Sequence, residues 1–420
     1  MSLEFDFDVI IAGGGPAGSS AAIHLALGGA RVLLAEQKKF PRPKLCGEFI
    51  SPECLPHFQR LGVFNQMMAA RGSDLAKTVF YARSGSSVSI PSTWFGATGN
   101  ALGLSRAEMD ERLLRRASEA GVTVLEDTQA VGLEFEEGRV AGARFKANGD
   151  EFSYRAPITI DATGRARILA RRLKSESIGS PKARSRPPVV AFKAHLEDAR
   201  LEPGACEIYF YRGGYGGLNS VEGGLSNLCF IASARDVRAC GADPEAVLRK
   251  VVCENVRAAK TLATARARSE WLAVSLDGFG RRRLVPVDGL MTIGDAASFI
   301  DPFTGSGMLM ALENGELAAE VVGRFLSSSQ TDEQFANIAE VYRKLYGERF
   351  NARLRVCSWL RRAAFVPGLA DAAIRVAGAN ERLRRKLAMA TRGDAREPAP
   401  NRRHRELTRS PERRPPAAQV

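Results

Sequence analysis

The sequence predicts an α/β fold: a parallel sheet built from strand–turn–helix units, an antiparallel sheet inserted into it, and a helical C-terminal extension. Three observations predict it. Asp8 to Glu36 runs from an apolar strand through a glycine turn into a small-residue helix and a second strand. From about Pro187 to Val285 the texture changes to short strands rich in Val, Phe and Tyr around a glycine-dense centre. After Leu290 one apolar strand leads into a glycine loop and then into helical pattern.

The first unit is Rossmann-like and carries the most chemistry. Val9, Ile10 and Ile11 form the strand, and Gly13, Gly15 and Gly18 have the G-x-G-x-x-G spacing around Pro16 and Ala17. The first glycine permits the turn, the second lets backbone approach a pyrophosphate, and the third lets helix and strand pack closely. Free N–H groups at the helix start receive the phosphate. The strand Arg31 to Ala35 ends on Glu36, about twenty residues beyond the glycines, where an acid accepts hydrogen bonds from ribose hydroxyls and disfavours a 2′-phosphate. A dinucleotide site is the reading.

In the loop from Phe40, Pro41 and Pro43 enforce extended backbone, and Arg42, Lys44, Cys46 and Gly47 become site candidates by following the ribose-binding acid. Cys46 alone reads equally well as a small buried apolar residue. Ser51-Pro52-Glu53 opens a helix with a capping serine. Leu75 to Ile90 gives two short strands around Ser84-Gly85-Ser86-Ser87. Ser105 to Gly121 is a helix capped by Ser105, with Glu108 placed for a capping box and Met109, Leu113 and Ala117 on one face. Val122 to Asp161 is a β-meander with turns at Glu137-Gly138 and Asn148-Gly149. In the central sheet, glycines mark sharp turns or approach to a ligand, and one helix runs from Pro244 towards Thr261. Helices follow at about Gly307 to Leu326 and Asp332 to Phe365. Beyond Pro367 lies one basic amphipathic helix ending near Ala390, then a Pro- and Arg-rich tail, 394–420, read as disordered.

Composition narrows the function classes. No stretch approaches the roughly 18 apolar residues of a membrane span. The acidic N-terminus, entering a strand at once, is read as lacking a signal peptide, and seven scattered cysteines fit reduced thiols, so a cytoplasmic location is expected. The four histidines form no ligand pattern, and no metal is expected. The net charge of +13 raises nucleic acid or anionic lipid as a partner. Much of the excess lies in late Arg-rich stretches and reads as a tail effect, with no recognisable reading helix, so no nucleic-acid partner is expected.

Three signatures stand in order: GGGPAG with Glu36, DATGRAR at Asp161, and IGDAASFIDPFTGSGM at Ile293. With PRPKLCGEFISP at Pro41 and SRAEMDERL at Ser105, they resemble the FAD-dependent oxidoreductases of the p-hydroxybenzoate hydroxylase superfamily. Within it the chain looks most like the geranylgeranyl reductase family, with flavin-dependent halogenases as more distant relatives. The resemblance implies a glutathione reductase-type FAD domain from segments 1–74, 102–184 and 286–365, and a substrate-binding β-sheet domain from 75–101 and 185–285. A C-terminal helix, 366–393, and the tail complete the chain. It further implies that Gly13, Gly15 and Gly18 receive the FAD pyrophosphate and that Glu36 holds the adenosine ribose. Arg106, Asp161 and Gly164 would lie near the pyrophosphate and ribityl region. Gly294 and Asp295 would bind the ribityl chain, and Pro302, Gly305, Gly307 and Met308 would follow the flavin edge. N–H groups at that second helix start suit the negative charge of reduced flavin. Lys44, Cys46 and Gly47 fall beside the flavin, with Cys46 the candidate proton donor. Tyr215, Gly217 and Asn219, in a stretch where these reductases usually carry aromatic and proline residues, are the substrate candidates. The halogenase tryptophan motif is missing.

The function expected is reduction of a carbon–carbon double bond in an apolar, isoprenoid or polyketide-like substrate. The alternatives are a monooxygenase hydroxylating an aromatic or polyketide substrate on the same fold, and a non-catalytic FAD-binding partner held at a membrane by the basic stretch Val356 to Arg392, whose apolar face reads first as packing on the protein itself. No second strand-glycine-helix unit is present for a nicotinamide cofactor. The electron donor, NAD(P)H or a donor protein such as a ferredoxin, is therefore expected to dock transiently.

Overall fold

A computed structural model describes residues 5–95, 99–173, 189–276, 279–301, 305–328, 332–364 and 368–390. Pro302 and the tail 394–420 lie outside the described residues, as do the junction at 184–185 and the last residues assigned to the C-terminal helix.

The centre is a five-stranded parallel sheet in the order Leu290–Thr292, Ile158–Asp161, Val9–Ala12, Val32–Ala35, Thr123–Leu125. Its three inner strands are buried on both faces, as parallel strands covered on both sides require. One face packs on the helices Pro16–Leu27, Arg106–Glu119 and Gly307–Leu326. The other is covered by the meander Gln129–Glu136, Arg139–Ala147, Asp150–Arg155. Its turns carry Glu137 at φ 48° with Gly138 at 85°, and Asn148 at 53° with Gly149 at 97°, the paired positive φ of tight hairpins.

The larger sheet has Arg266–Ala267, Val189–Glu197, Ser226–Ser233, Gly214–Ser220, Ala205–Tyr211, Lys77–Tyr81 and Ser87–Pro91 in order, with Leu272–Leu276 also paired to Val189–Glu197. It is not purely antiparallel: Ala205–Tyr211 runs parallel to Lys77–Tyr81. These two strands come from separate excursions out of the parallel-sheet domain. The long connection that parallel pairing needs is therefore supplied by that domain.

Four local expectations change. Ser51 does not cap the next helix through its hydroxyl; Cys54–Leu61 starts with no side-chain cap, and Ser51 contributes its carbonyl to the Cys54 N–H. Ser105 does cap Arg106–Glu119, its hydroxyl accepting from the Glu108 N–H, but Glu222 rather than Glu108 accepts the Ser105 N–H, at 2.9 Å. The stretch from Pro244 to Thr261 is two helices, Pro244–Lys250 and Val256–Thr261, because Asn255 caps the second and donates to three carbonyls of the sheet edge. The C-terminal basic stretch is also two helices, Leu369–Ala379 and Glu381–Ala390, parted at Asn380, whose side chain accepts the Leu383 N–H. Both fold back onto the larger sheet: Ile374 and Ala377 pack with Val88, Phe210 and Tyr215, and Ala388 clusters with Cys206 of that sheet and with the neighbouring Leu75 and Phe95.

Candidate functional site

One cavity of about 780 Å³ runs from the glycine turn, between the two sheets, to the C-terminal helices. Gly13, Gly15, Pro16, Ala17, Glu36, Lys44, Cys46, Gly47, Arg106, Gly164, Gly294, Asp295, Gly305, Gly307, Met308, Tyr215, Gly217 and Asn219 all line it. Segments nearly 300 residues apart in sequence therefore meet on one surface. Gly18 and Asp161 do not line it.

The glycine end is built from backbone. Gly13 sits at φ 109°, and a Cβ there would meet the Ala162 carbonyl oxygen at 2.4 Å. A Cβ on Gly18 would lie 1.9 Å from the Gly13 carbonyl oxygen, which makes it the close-packing glycine of the turn. The helix Pro16–Leu27 has no side-chain cap, and neither has Gly307–Leu326. Both open into the same cavity, so two sets of uncapped helical N–H groups face it. Glu36 accepts the Gly14 N–H at 2.9 Å and the Lys38 N–H at 3.2 Å, holding the turn as well as facing the cavity. Arg42 approaches Glu36 at 3.5 Å and Asp110 at 3.4 Å, while its buried Nε and Nη1 have no hydrogen-bond partner among the described residues. Uncapped helix starts, a crowded glycine cradle and a buried guanidinium with unused donors suit a dinucleotide with its phosphates.

Asp161 serves the scaffold. Its carboxylate accepts from Thr163 N and Oγ1 and from the N–H groups of Leu169 and Ala170, so it is spent inside its own loop. Gly294, at φ 59°, instead donates its N–H to Asn314 on the second glycine helix and brings Asp295 to the cavity wall. Burial pushes the Asp295 carboxyl above the usual range, against the pull of Arg106, Arg165 and Lys44. Lys44 is lowered, by desolvation first and then by Arg42 and Arg106, with Asp295 and Glu36 opposing.

Midway along the cavity stands a cluster that sequence reasoning missed. Glu48, fully buried, has φ 52°, a left-handed conformation that costs a non-glycine residue about 1–3 kcal/mol and persists where surroundings over-determine it. Its carboxylate accepts from Lys193 Nζ at 2.5 Å and the Arg106 N–H at 2.8 Å through one oxygen, and meets His195 Nε2 at 2.6 Å through the other. The Leu104 N–H and Asn219 Nδ2 donate to its carbonyl. Burial alone would raise the Glu48 carboxyl, but the hydrogen bond from His195 and the charge of Lys193 hold it below the usual range. The Glu48 N–H points at Cys46 Sγ, 3.5 Å away, and Asn227 holds the Cys46 carbonyl. The Arg106 guanidinium, fixed by two 2.7 Å bonds to Asp110, also reaches the Cys46 sulfur. The sequence signal was the Glu two residues after the candidate cysteine. Lys193 and His195, alternate residues of one strand, point to the same face.

Beyond Cys46 the wall becomes apolar, with Phe80, Ile208, Phe210 and Ile231 from the sheet and Ile374 and Ala377 from the C-terminal helices. Of the glycines in 214–217, Gly214 and Gly216 are required by close packing on Ile231 and Phe230, and Gly217 lines the cavity. The Tyr215 hydroxyl donates to Asp301, which also pairs with Arg361 at 3.7 Å.

The FAD binding domain model matches residues 6–327, and the chain belongs to that family. It is an FAD-dependent oxidoreductase of the geranylgeranyl reductase type. It is 29% identical over 350 residues to a digeranylgeranylglycerophospholipid reductase of Methanosarcina acetivorans, covering 81% of each chain. It is also 29% identical over 344 residues to a menaquinone reductase of Mycolicibacterium smegmatis, covering 75% of this chain and 76% of that one. Among solved structures, a geranylgeranyl bacteriochlorophyll reductase-like protein from Thermoplasma acidophilum superposes with TM-score 0.75 at 22% identity, over 89% of this chain and 92% of that one. The flavin-dependent brominase Bmp2 superposes with TM-score 0.76 at 21% identity, over 92% and 94%. These likenesses share the fold. Among the described residues no helix is long and apolar enough to cross a membrane.

Proposed function

We propose that the enzyme reduces a carbon–carbon double bond in the isoprenoid chain of a lipid. The observation that carries the reading is the continuity of the cavity: a glycine cradle for FAD at one end, an apolar chamber at the other, and the Cys46 thiol where they meet. The names of the two reductase relatives give a geranylgeranyl glycerophospholipid and menaquinone as what those proteins reduce, and an apolar chamber suits a chain of either kind.

In this reading the first helix start holds the pyrophosphate, Glu36 the adenosine ribose, Asp295 the ribityl chain, and Gly305 to Met308 the flavin edge. FAD, when bound, supplies the electron pair as hydride to one alkene carbon. The chain's own part is to orient the alkene, keep water out and give a proton to the other carbon. Cys46 Sγ–H is the donor assigned here, leaving sulfur with the electron pair of the broken S–H bond beside the Arg106 guanidinium. Solvent then reprotonates the sulfur. Glu48, pinned by Lys193 and His195, fixes the Cys46 loop and acts as a positioning residue. The two-electron donor, NAD(P)H or a donor protein, docks transiently.

Anaerobic turnover of a geranylgeranyl lipid, followed by product mass, tests the reading. A gain of two mass units per double bond, at a rate lowered by Cys46→Ala, is expected. Unchanged turnover in Cys46→Ala removes the cysteine from the mechanism. Oxygen consumption coupled to a hydroxylated product replaces the reductase reading with a monooxygenase. Flavin reduction rates with NADPH, NADH and reduced ferredoxin identify the donor.

A further inference from the structure

We propose that the exposed side of the two C-terminal helices, together with the last turns of the preceding helix Asp332–Ala364, is a docking surface for an anionic lipid bilayer. Packing on the protein itself accounts for the inner face: Ile374, Ala377 and Ala388 are buried against the larger sheet and line the cavity. It does not account for the outer one. Trp359 is 71% exposed, Val376 56% and Met389 52%, with Leu383 also exposed. More than half of the exposed large apolar side chains among the described residues fall between Trp359 and Met389. The same stretch is strongly basic. From Arg355 to Ala390 there are eight arginines and lysines against Asp371 and Glu381, and Arg355, Arg362, Arg375, Arg382, Arg385 and Lys386 are exposed.

Exposed large apolar side chains set among exposed arginines match an interfacial segment, with cations at the headgroups and apolar groups below them. Each cation near an anionic surface contributes about 1 kcal/mol. A second copy of the chain fits less well, because a two-fold interface sets a patch against itself and would oppose two strongly positive surfaces. A nucleic acid would use the arginines and leave Val376, Leu383 and Met389 uncovered. The position also serves the function proposed above, on which this point alone rests. Only the thickness of one helix, about 10 Å, separates the outer face from the apolar end of the cavity, so a docked enzyme would meet its lipid where it resides.

The test uses the full-length, flavin-loaded protein and phosphatidylcholine vesicles with or without phosphatidylglycerol, with no substrate or turnover, so it stands apart from the reductase reading. Cosedimentation with the phosphatidylglycerol vesicles and a blue shift of Trp359 emission are expected. Trp359→Ser/Val376→Ser/Met389→Ser should weaken partitioning at least about tenfold. Arg382→Glu/Arg385→Glu should remove the preference for phosphatidylglycerol. Flavin content checks that each variant is folded, and either variant set suffices if the other fails to fold. Equal partitioning of wild type and both folded variants overturns the proposal. So does capture of a DNA duplex without vesicle binding, or a dimer that the substitutions dissolve while vesicles are ignored.

Discussion

The two ends of the cavity are made by different means. The glycine end is walled by backbone, from a turn and a loop that leave no room for a methyl group at Gly13, Gly18 or Gly294, and from two helix starts. The apolar end is walled by side chains from six strands of the larger sheet and the C-terminal helices. A backbone wall fixes what it holds, and a wall of interchangeable apolar side chains does not. One fold can therefore keep its cofactor while relatives named for a phospholipid, a quinone or a halogenation share it.

The sharpest way to break that contrast is Gly18→Ala. Its new methyl would overlap the Gly13 carbonyl oxygen, with backbone rather than a movable side chain in the way. We expect a loss of about 3 kcal/mol or more at the turn and a colourless protein, read as flavin absorbance per chain. Stoichiometric flavin in the purified variant would falsify the rigid cradle.

Next comes the junction. Glu48→Gln leaves Lys193 buried without its counter-charge, which should cost about 3 kcal/mol, read as a lower urea midpoint. Glu48→Gln/Lys193→Met should recover part of it. The folded pKa of Glu48 lies below its ordinary 4.5, so the stability carried by its charge is present above pH 4.5 and is lost as pH falls below it. No recovery in the double variant would mean that His195, not Lys193, is the partner that counts.

Ala377→Phe fills the apolar end. It should keep its flavin, because the change is remote from the cradle, and raise KM for a long-chain substrate about tenfold. Flavin loss in this variant would mean that the two ends are one cooperative unit and the contrast is mistaken.

The glycine end was legible in the sequence because its signals are local. Gly13, Gly15, Gly18 and Glu36 lie within one unit, and Ser105 announces its helix one residue ahead. The DATG loop was legible as a turn but not in its use, since the Asp161 side chain could satisfy either a ligand or its own N–H groups and the structure gives it the latter. The junction was hidden by distance. Lys193 and His195 reach Glu48 across 145 and 147 residues, and an isolated buried acid has no spacing to betray it. The parallel pairing of Lys77–Tyr81 with Ala205–Tyr211 was hidden similarly, because strand patterning gives a face but not a partner. The break at Asn380 lay open to reading, since Asn-Glu at a helix start is a capping signal.

The smallest expected effect lies on the far side of the glycine end and asks how much that rigid wall owes to its supports. Glu316, on the helix that begins at Gly307, receives Arg60 at 2.9 and 3.0 Å and stands 3.1 Å from His57. Burial alone would raise its carboxyl, but hydrogen bonds from His57 and Arg60 and their charges hold it at about 2. A depressed folded value means stability present above the ordinary 4.5 and lost as pH falls towards about 2. With Arg60 partly solvated, the pair should contribute about 1 kcal/mol. Glu316→Gln should therefore release flavin at slightly lower urea than wild type near neutrality, with the two curves converging as pH falls through that window. His24, lowered by burial against the pull of Glu316, would lose that pull as well and add to the gap below its ordinary 6.5, so the size of the gap is read above 6.5, where His24 is neutral folded and unfolded. A constant gap between the curves down to the acid limit would assign the effect to packing, and the charge on Glu316 would then play no part in holding the helix.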